Sequence, residues 1–297
     1  MRGCAKSRFM AKKDADSRLA VRKMYKLYLG GQFIRSESGR SDAFGDANVA
    51  RASRKDLRDA IVAARSGQAA WYGTTPALRG QILYRLTEMM EARRAELADR
   101  LAEEGLGRGD ARQEVGFAID RVLWYAGWCD KYAAVLSARN PVAGPHFNFS
   151  TPEPMGIVGV VAPDHPSLLG LVTAAIPPLV SGNSVVAIAS ETDPRTAIVF
   201  AECVATSDMH AGALNILTGK RSELIPHLAR HMDVNAVAVY CVDPETNADV
   251  TRMASENLKR VYLESAVEDA WTDARFEDLD RVAAFAEIKT IWHPAAI

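Results

Sequence analysis

From Ile157 onward the chain alternates apolar segments of strand length with segments of helical period. Ile157–Val161, Ser184–Ile188, Ala213–Leu217, Ala236–Tyr240 and Arg260–Leu263 read as strands. Leu168–Val180, Pro194–Ala205, Ser222–Arg230 and Asp243–Leu258 read as the helices between them. The strand segments are apolar on both alternating faces, which requires cover on both sides. Strand and helix alternating at this spacing predict an α/β fold, a doubly wound parallel sheet with helices on each face. At 297 residues the chain holds one large or two modest domains.

The first part is different in texture. Met24–Phe33 alternates around Gly30-Gly31 and predicts a hairpin. Ser53 and Asp56 form a capping-box pattern before Leu57, Ala60, Ile61 and Ala64, predicting an amphipathic helix stopped by Gly67. Leu78–Met90, Ala92–Leu106 and Asp110–Val135 continue a helical N-terminal part. Near Pro141 the pattern changes, and His146–Phe149 alternates as a strand. After Glu268 the strand–helix rhythm stops, and a charged stretch to Arg281 precedes a final strand ended by Pro294. The expected division is a disordered basic tail over 1–23, a main domain over 24–268, and a linker with a last strand over 269–297.

Lys plus Arg number 36 and Asp plus Glu 37, a net charge of −1. Such a chain exerts no bulk attraction on nucleic acid or anionic lipid. Ser167–Ala189 is the most apolar stretch, but Pro177-Pro178, Ser181, Gly182 and Asn183 interrupt it. It predicts a buried helix, a turn and a buried strand rather than a membrane span. Residues 1–23 carry eight basic side chains and no apolar core segment, so no signal peptide is expected. Met10 stays open as an alternative start. The expected location is cytoplasmic, with reduced thiols.

The chemistry offered is sparse. Neither G-x-G-x-x-G nor G-x-x-x-x-G-K-[ST] is present. Gly219-Lys220-Arg221-Ser222 stands between a strand and a helix. It reads either as an anion-holding turn or, as the default, a solvated turn. Cys4, Cys129, Cys203 and Cys241 have no metal-ligand spacing among themselves or with the six histidines, so no metal site is expected. Cys129 and Cys203 fall inside helices, where buried thiols are inert. Cys241, Asp164, His165 and Glu264 fall at strand ends, where ligands bind in such folds.

Several blocks in order resemble the aldehyde dehydrogenase superfamily. They are Tyr28–Phe33 (YLGGQF), Glu153–Gly159 (EPMGIVG), Pro177–Val186 (PPLVSGNSVV), Asn215–Gly219 (NILTG), and Asn257–Glu264 (NLKRVYLE). Glu287–Ile291 looks like that family's C-terminal oligomerisation strand, and strands near 145–160 like its partner element. The Asn140–Pro145 stretch and the Trp292-His293-Pro294 ending look most like the truncated, Cys-less second module of family 16 aldehyde dehydrogenases.

The resemblance implies residue roles, and at most of them this sequence departs. The family's W-N-F-P segment reads Pro163-Asp164-His165-Pro166, so Asp164 replaces the Asn that donates to the oxyanion; an ionised Asp only accepts. The K-P-A-E segment reads Ile188-Ala189-Ser190-Glu191, leaving Glu191 and Gly219 as vestigial cofactor contacts. The F-T-G-S turn reads Val239-Tyr240-Cys241-Val242. Glu264 matches the general-base glutamate, but the glycines that follow it in the family are Ala266 and Val267. Only 20 residues separate Glu264 from Phe285, where the family carries a catalytic domain with its nucleophilic Cys. No such domain fits there.

These departures imply a non-catalytic subunit, inactive alone, that assembles by edge-strand pairing with a full-length aldehyde dehydrogenase or with itself. No resident cofactor is expected, with NAD(P) left open at a degenerate site. Two alternatives stand beside this: an NAD(P)-dependent aldehyde oxidoreductase acting with a partner's cysteine, and a nucleotide- or metabolite-binding regulatory module using Lys220, Arg221 and Glu191.

Overall fold

The computed structural model describes residues 21–240, 243–264 and 271–295. The expected basic tail up to residue 20, Cys241, and the Ser265–Val267 step after Glu264 therefore lie outside the described residues.

The described chain starts with five short strands: β1 (Lys23–Tyr25), β2 (Leu27–Leu29), β3 (Gln32–Ile34), β4 (Ser41–Phe44) and β5 (Ala47–Ala50). Five helices follow: α1 (Arg54–Gly73), α2 (Pro76–Ala92), α3 (Arg94–Glu103), α4 (Arg108–Ala126) and α5 (Tyr132–Leu136). Strands β6 (Ala138–Asn140) and β7 (His146–Pro154) lead into the alternating region. That region runs β8 (Ile157–Val161), α6 (Ser167–Val180), β9 (Ser184–Ile188), α7 (Arg195–Ala205), β10 (Leu214–Leu217), α8 (Arg221–Arg230), β11 (Ala236–Val239), α9 (Pro244–Ser255) and β12 (Arg260–Leu263). A 3-10 turn (Ala274–Phe276), α10 (Asp280–Ala283) and β13 (Ala286–Pro294) close it.

The main sheet has the order β12-β11-β8-β9-β10-β2-β3. Its five strands from β12 to β10 are parallel, and β2 and β3 add an antiparallel hairpin at one edge. Alternation splits the buried strand residues between two cores. Val158, Val160, Val185 and Ala187 face one cluster, whereas Ile157, Val161, Val186 and Ile188 face the other, which includes Leu57 and Ile61 of α1. The doubly wound α/β architecture is thus present, with a helix-rich N-terminal part.

Three boundaries differ from expectation. The hairpin is confined to Leu27–Ile34; Met24 belongs to β1, which pairs with β5. Gly67 does not stop α1, which continues to Gly73. A Cβ on Gly67 would collide with the backbone of Ala211 and Gly212, so this glycine permits close approach rather than termination. The segment expected as one helix over 110–135 breaks after Ala126 at Gly127 and resumes briefly as α5. The Ser53–Asp56 capping box closes as the spacing predicts.

A separate antiparallel sheet has the order β13-β7-β6. β13 and β7 pair with each other over nine residues, from Ala286↔Pro154 to Pro294↔His146. Residues 271–285, ahead of β13, are packed. Trp271, Phe276, Val282 and Phe285 are core residues, and the Trp271 and Phe276 rings stack at 5.0 Å. Tyr125 Oη donates to the Phe276 carbonyl (2.8 Å), and Arg121 donates to the Trp271 carbonyl (3.1 Å).

Candidate active-site crevice

Strand order reverses between β8 and β11, which places the expected ligand crevice at the carboxyl ends of the strands around them. The structure brings Asp164, Glu191 and Gly219 together there, on the turns after β8, β9 and β10.

Asp164 is fully engaged. Its Oδ1 accepts from the Glu191 N–H (2.7 Å) and the Ser190 hydroxyl (3.2 Å). Its Oδ2 accepts from Arg221 Nη1 at 2.5 Å, and the second Arg221 nitrogen donates to the Ala162 carbonyl. Glu191 accepts from Lys220 Nζ (3.0 Å) and from the Arg221 N–H (2.9 Å). The positive N-terminal end of α8, where a phosphate would sit in a nucleotide fold, is therefore met by the chain's own carboxylate. Arg221 is not in a solvated turn: its side chain is 14% exposed and lies across the strand ends.

Gly219 has φ +146°, and the Ala52 backbone nitrogen lies 3.0 Å from where a Cβ would be. Thr218 anchors the same approach, its hydroxyl donating to the Ala50 carbonyl (2.6 Å) while its carbonyl accepts from the Ala52 N–H (2.8 Å). The β4–β5 hairpin is thereby drawn over the crevice. The space left among Glu191, Gly219, Lys220 and that hairpin is about 10 Å³, against roughly 300–1,000 Å³ for small-molecule sites. A wider cleft of about 480 Å³ opens between α8 and α9. It is lined by Asp243, Glu245 and Asp249 against the already engaged Arg221, a lining that opposes a phosphate group.

Glu264 stands apart from this cluster, at the end of β12. Its Oε2 accepts from Arg281 Nη2 (2.7 Å) and from the Tyr262 hydroxyl (3.1 Å). Burial, with the Glu264 charge adding to it, pushes the Tyr262 hydroxyl up to about 12. Arg281 also donates to Tyr262 Oη (2.8 Å) and pairs with Asp278 (3.4 Å). Sequence reasoning missed this arginine, because it sits in a stretch that reads as charged. The only hint was the presence of Trp271 and Phe276 nearby.

Cys129 and Cys203 are buried, and burial pushes both thiols up to about 12, where thiolate is negligible at neutral pH. His165 is exposed, and its ring stands 3.5 Å from the Thr192 hydroxyl. Among the described residues no group of three or more His, Cys, Asp or Glu could hold a metal ion. Nor is any described helix long and apolar enough to cross a membrane.

A parallel sheet of this order with helices on both faces and an appended antiparallel sheet defines a protein of the doubly wound α/β class. Residues 45–293 match the model of the aldehyde dehydrogenase family, and the chain belongs to that family. It is 30% identical over 253 residues to DhaS of Bacillus subtilis, described as an aldehyde dehydrogenase, covering 80% of this chain and 50% of that protein. It is 30% identical over 262 residues to the cytosolic 10-formyltetrahydrofolate dehydrogenase of Xenopus laevis, covering 83% of this chain and 29% of the relative. The NAD+ complex of an aldehyde dehydrogenase from Bacillus cereus superposes with a TM-score of 0.77 at 25% identity, over 82% of this chain and 51% of that one. The chain thus spans about half of the length of two of these proteins and under a third of the other.

Proposed function

We propose that this chain is a non-catalytic member of the aldehyde dehydrogenase family that assembles with a full-length aldehyde dehydrogenase. The observation that carries this is the state of Asp164. It stands where the family pattern has an oxyanion-donating Asn, and its carboxylate is held by Arg221 and the Glu191 N–H. An anion there repels a developing oxyanion, and losing even one oxyanion donor costs roughly two to three orders of magnitude in rate. The 20 residues between Glu264 and Phe285 leave no room in this chain for a nucleophile-bearing domain, and the described thiols are inert.

The residues at the crevice do not fit NAD(P). Arg221 and Glu191 satisfy each other's surroundings, and the cleft that opens beside Arg221 is lined by the carboxylates of Asp243, Glu245 and Asp249. We assign no resident cofactor.

For assembly, β13 supports the reading. It pairs on one side with β7, while its other side has no strand neighbour among the described residues. A nine-residue edge with Trp292 61% and Ile288 56% exposed is a template for strand addition. The test is co-expression with a Cys-containing aldehyde dehydrogenase, followed by native mass measurement and NAD titration. A mixed oligomer with no NAD binding by this chain alone is expected. A lone monomer in the presence of such partners, or micromolar NAD affinity, overturns the proposal.

A further inference from the structure

A second cleft lies away from the crevice. It lies between the start of α1 and the end of α8, with a volume of about 760 Å³, within the range of small-molecule sites. It shares none of its lining with Asp164, Glu191, Lys220 or Arg221.

Its charge is one-sided. Arg54, Lys55 and Arg58 line it from α1, His227 and Arg230 from α8, and His231 from just after α8. Glu37 is the one carboxylate in the lining, and it pairs with Lys55 (3.0 Å). Arg58 and Arg230 have carboxylate partners outside the lining, Asp59 (2.9 Å) and Glu256 (3.3 Å). Arg54 and His227 have no hydrogen-bond or ion-pair partner among the described residues. Partial burial and the charges of Arg54 and Arg230 hold His227 below the usual imidazole value, so the field is positive where this ring sits. The first-turn N–H groups of Lys55 and Asp56 are capped by Ser53, so an anion here would be met by side chains.

The cleft also has an apolar component. Met232, 79% exposed, lies in its lining, over the buried Leu57. Arginines able to hold phosphate oxygens bidentately, beside an apolar surface, suit an organic phosphate better than a bare ion.

We propose that the cleft between α1 and α8 is a binding site for a phosphorylated small molecule of nucleotide size or smaller. The site is independent of the crevice and of catalysis.

The test uses the full chain with two probes, pyrophosphate and a nucleoside monophosphate, against sulfate at equal ionic strength. Saturable binding of the nucleoside monophosphate with a dissociation constant below about 1 mM is expected. Arg54→Gln and Arg230→Gln should each weaken it about tenfold, with unchanged circular dichroism. The His227 imidazole resonance should titrate at higher pH in the bound protein, since a bound anion favours imidazolium. Binding no different from sulfate, insensitivity to both substitutions, or a His227 titration that does not move overturns the proposal. Binding of pyrophosphate without the nucleoside monophosphate overturns the organic part of it.

Discussion

The Arg221 guanidinium donates to the Asp164 carboxylate at 2.5 Å, joining the turn after β8 to the first residue of α8. Two side chains 57 residues apart thereby meet across the carboxyl ends of the strands. The same guanidinium reaches the Ala162 carbonyl, so its removal strands two acceptors.

Arg221→Ala should lower unfolding stability by about 1–3 kcal/mol, because Asp164 keeps its charge while losing its cation. Urea denaturation of the two proteins measures this. Asp164→Asn restores the donor type of the family pattern, yet should produce no aldehyde oxidation by this chain. NADH appearance followed by absorbance is the readout, and turnover above background would overturn the proposed non-catalytic role.

Arg281 is the hub of the segment that covers β12, reaching Glu264, Asp278 and the Tyr262 hydroxyl. Its side chain is 7% exposed, and removing one member of so buried a pair costs about 3 kcal/mol. Arg281→Ala should therefore destabilise strongly, while Glu264→Gln should cost less because the amide still accepts. A double-mutant cycle should show coupling of about 1 kcal/mol or more; additive losses would show that the pair contributes through packing alone.

Glu104 should make stability depend on pH. Burial, reinforced by the charges of Asp193 and Glu114, pushes its carboxyl up to about 7, against the opposing hydroxyls of Thr196 and Ser167. With the folded value above the ordinary 4.5, the folded protein binds more protons than the unfolded chain between them. Stability from this group is complete below pH 4.5 and is lost as pH rises through 7, by up to about 3 kcal/mol. Melting temperatures taken from pH 5 to 8 should fall in the wild type and vary less in Glu104→Gln. Parallel curves would refute the assignment.

Gly67 and Gly73 give a contrast within one helix. Gly67→Ala should destabilise by more than about 2 kcal/mol, because the Ala211–Gly212 backbone must move. Gly73→Ala meets no atom within 4 Å and should be neutral or stabilising by up to about 1 kcal/mol. Denaturation midpoints of the two variants decide this, and equal effects would rule out the close-contact role of Gly67.

Much of the central sheet was legible in the chain. The bounds of β8 and β9 coincide with the strands read from the sequence, since strands buried on both faces are apolar at nearly every position. The capping box at Ser53 was equally readable, because the residues that close it are three apart. β4 and β5 were missed: Ser41–Phe44 is short and polar, and its pairing with β5 is what makes it a strand. Gly67 was misplaced because a glycine that ends a helix and one that admits a neighbouring backbone are identical in sequence.

The candidate site divides along the same line. That Asp164, Glu191, Gly219 and Glu264 fall at strand ends follows from the sequence alone, through strand length and alternation. So does the departure of Asp164 from a donor to an acceptor, which is a property of the side chain. Only the tertiary structure decided that Arg221 turns inward onto Asp164, that Gly219 admits the β5–α1 connection, and that Arg281 from the charged stretch holds Glu264. These contacts join residues far apart in the chain. Which of several possible partners a charged side chain meets is settled by the packing of the backbone around it, not by the local pattern in which it is written.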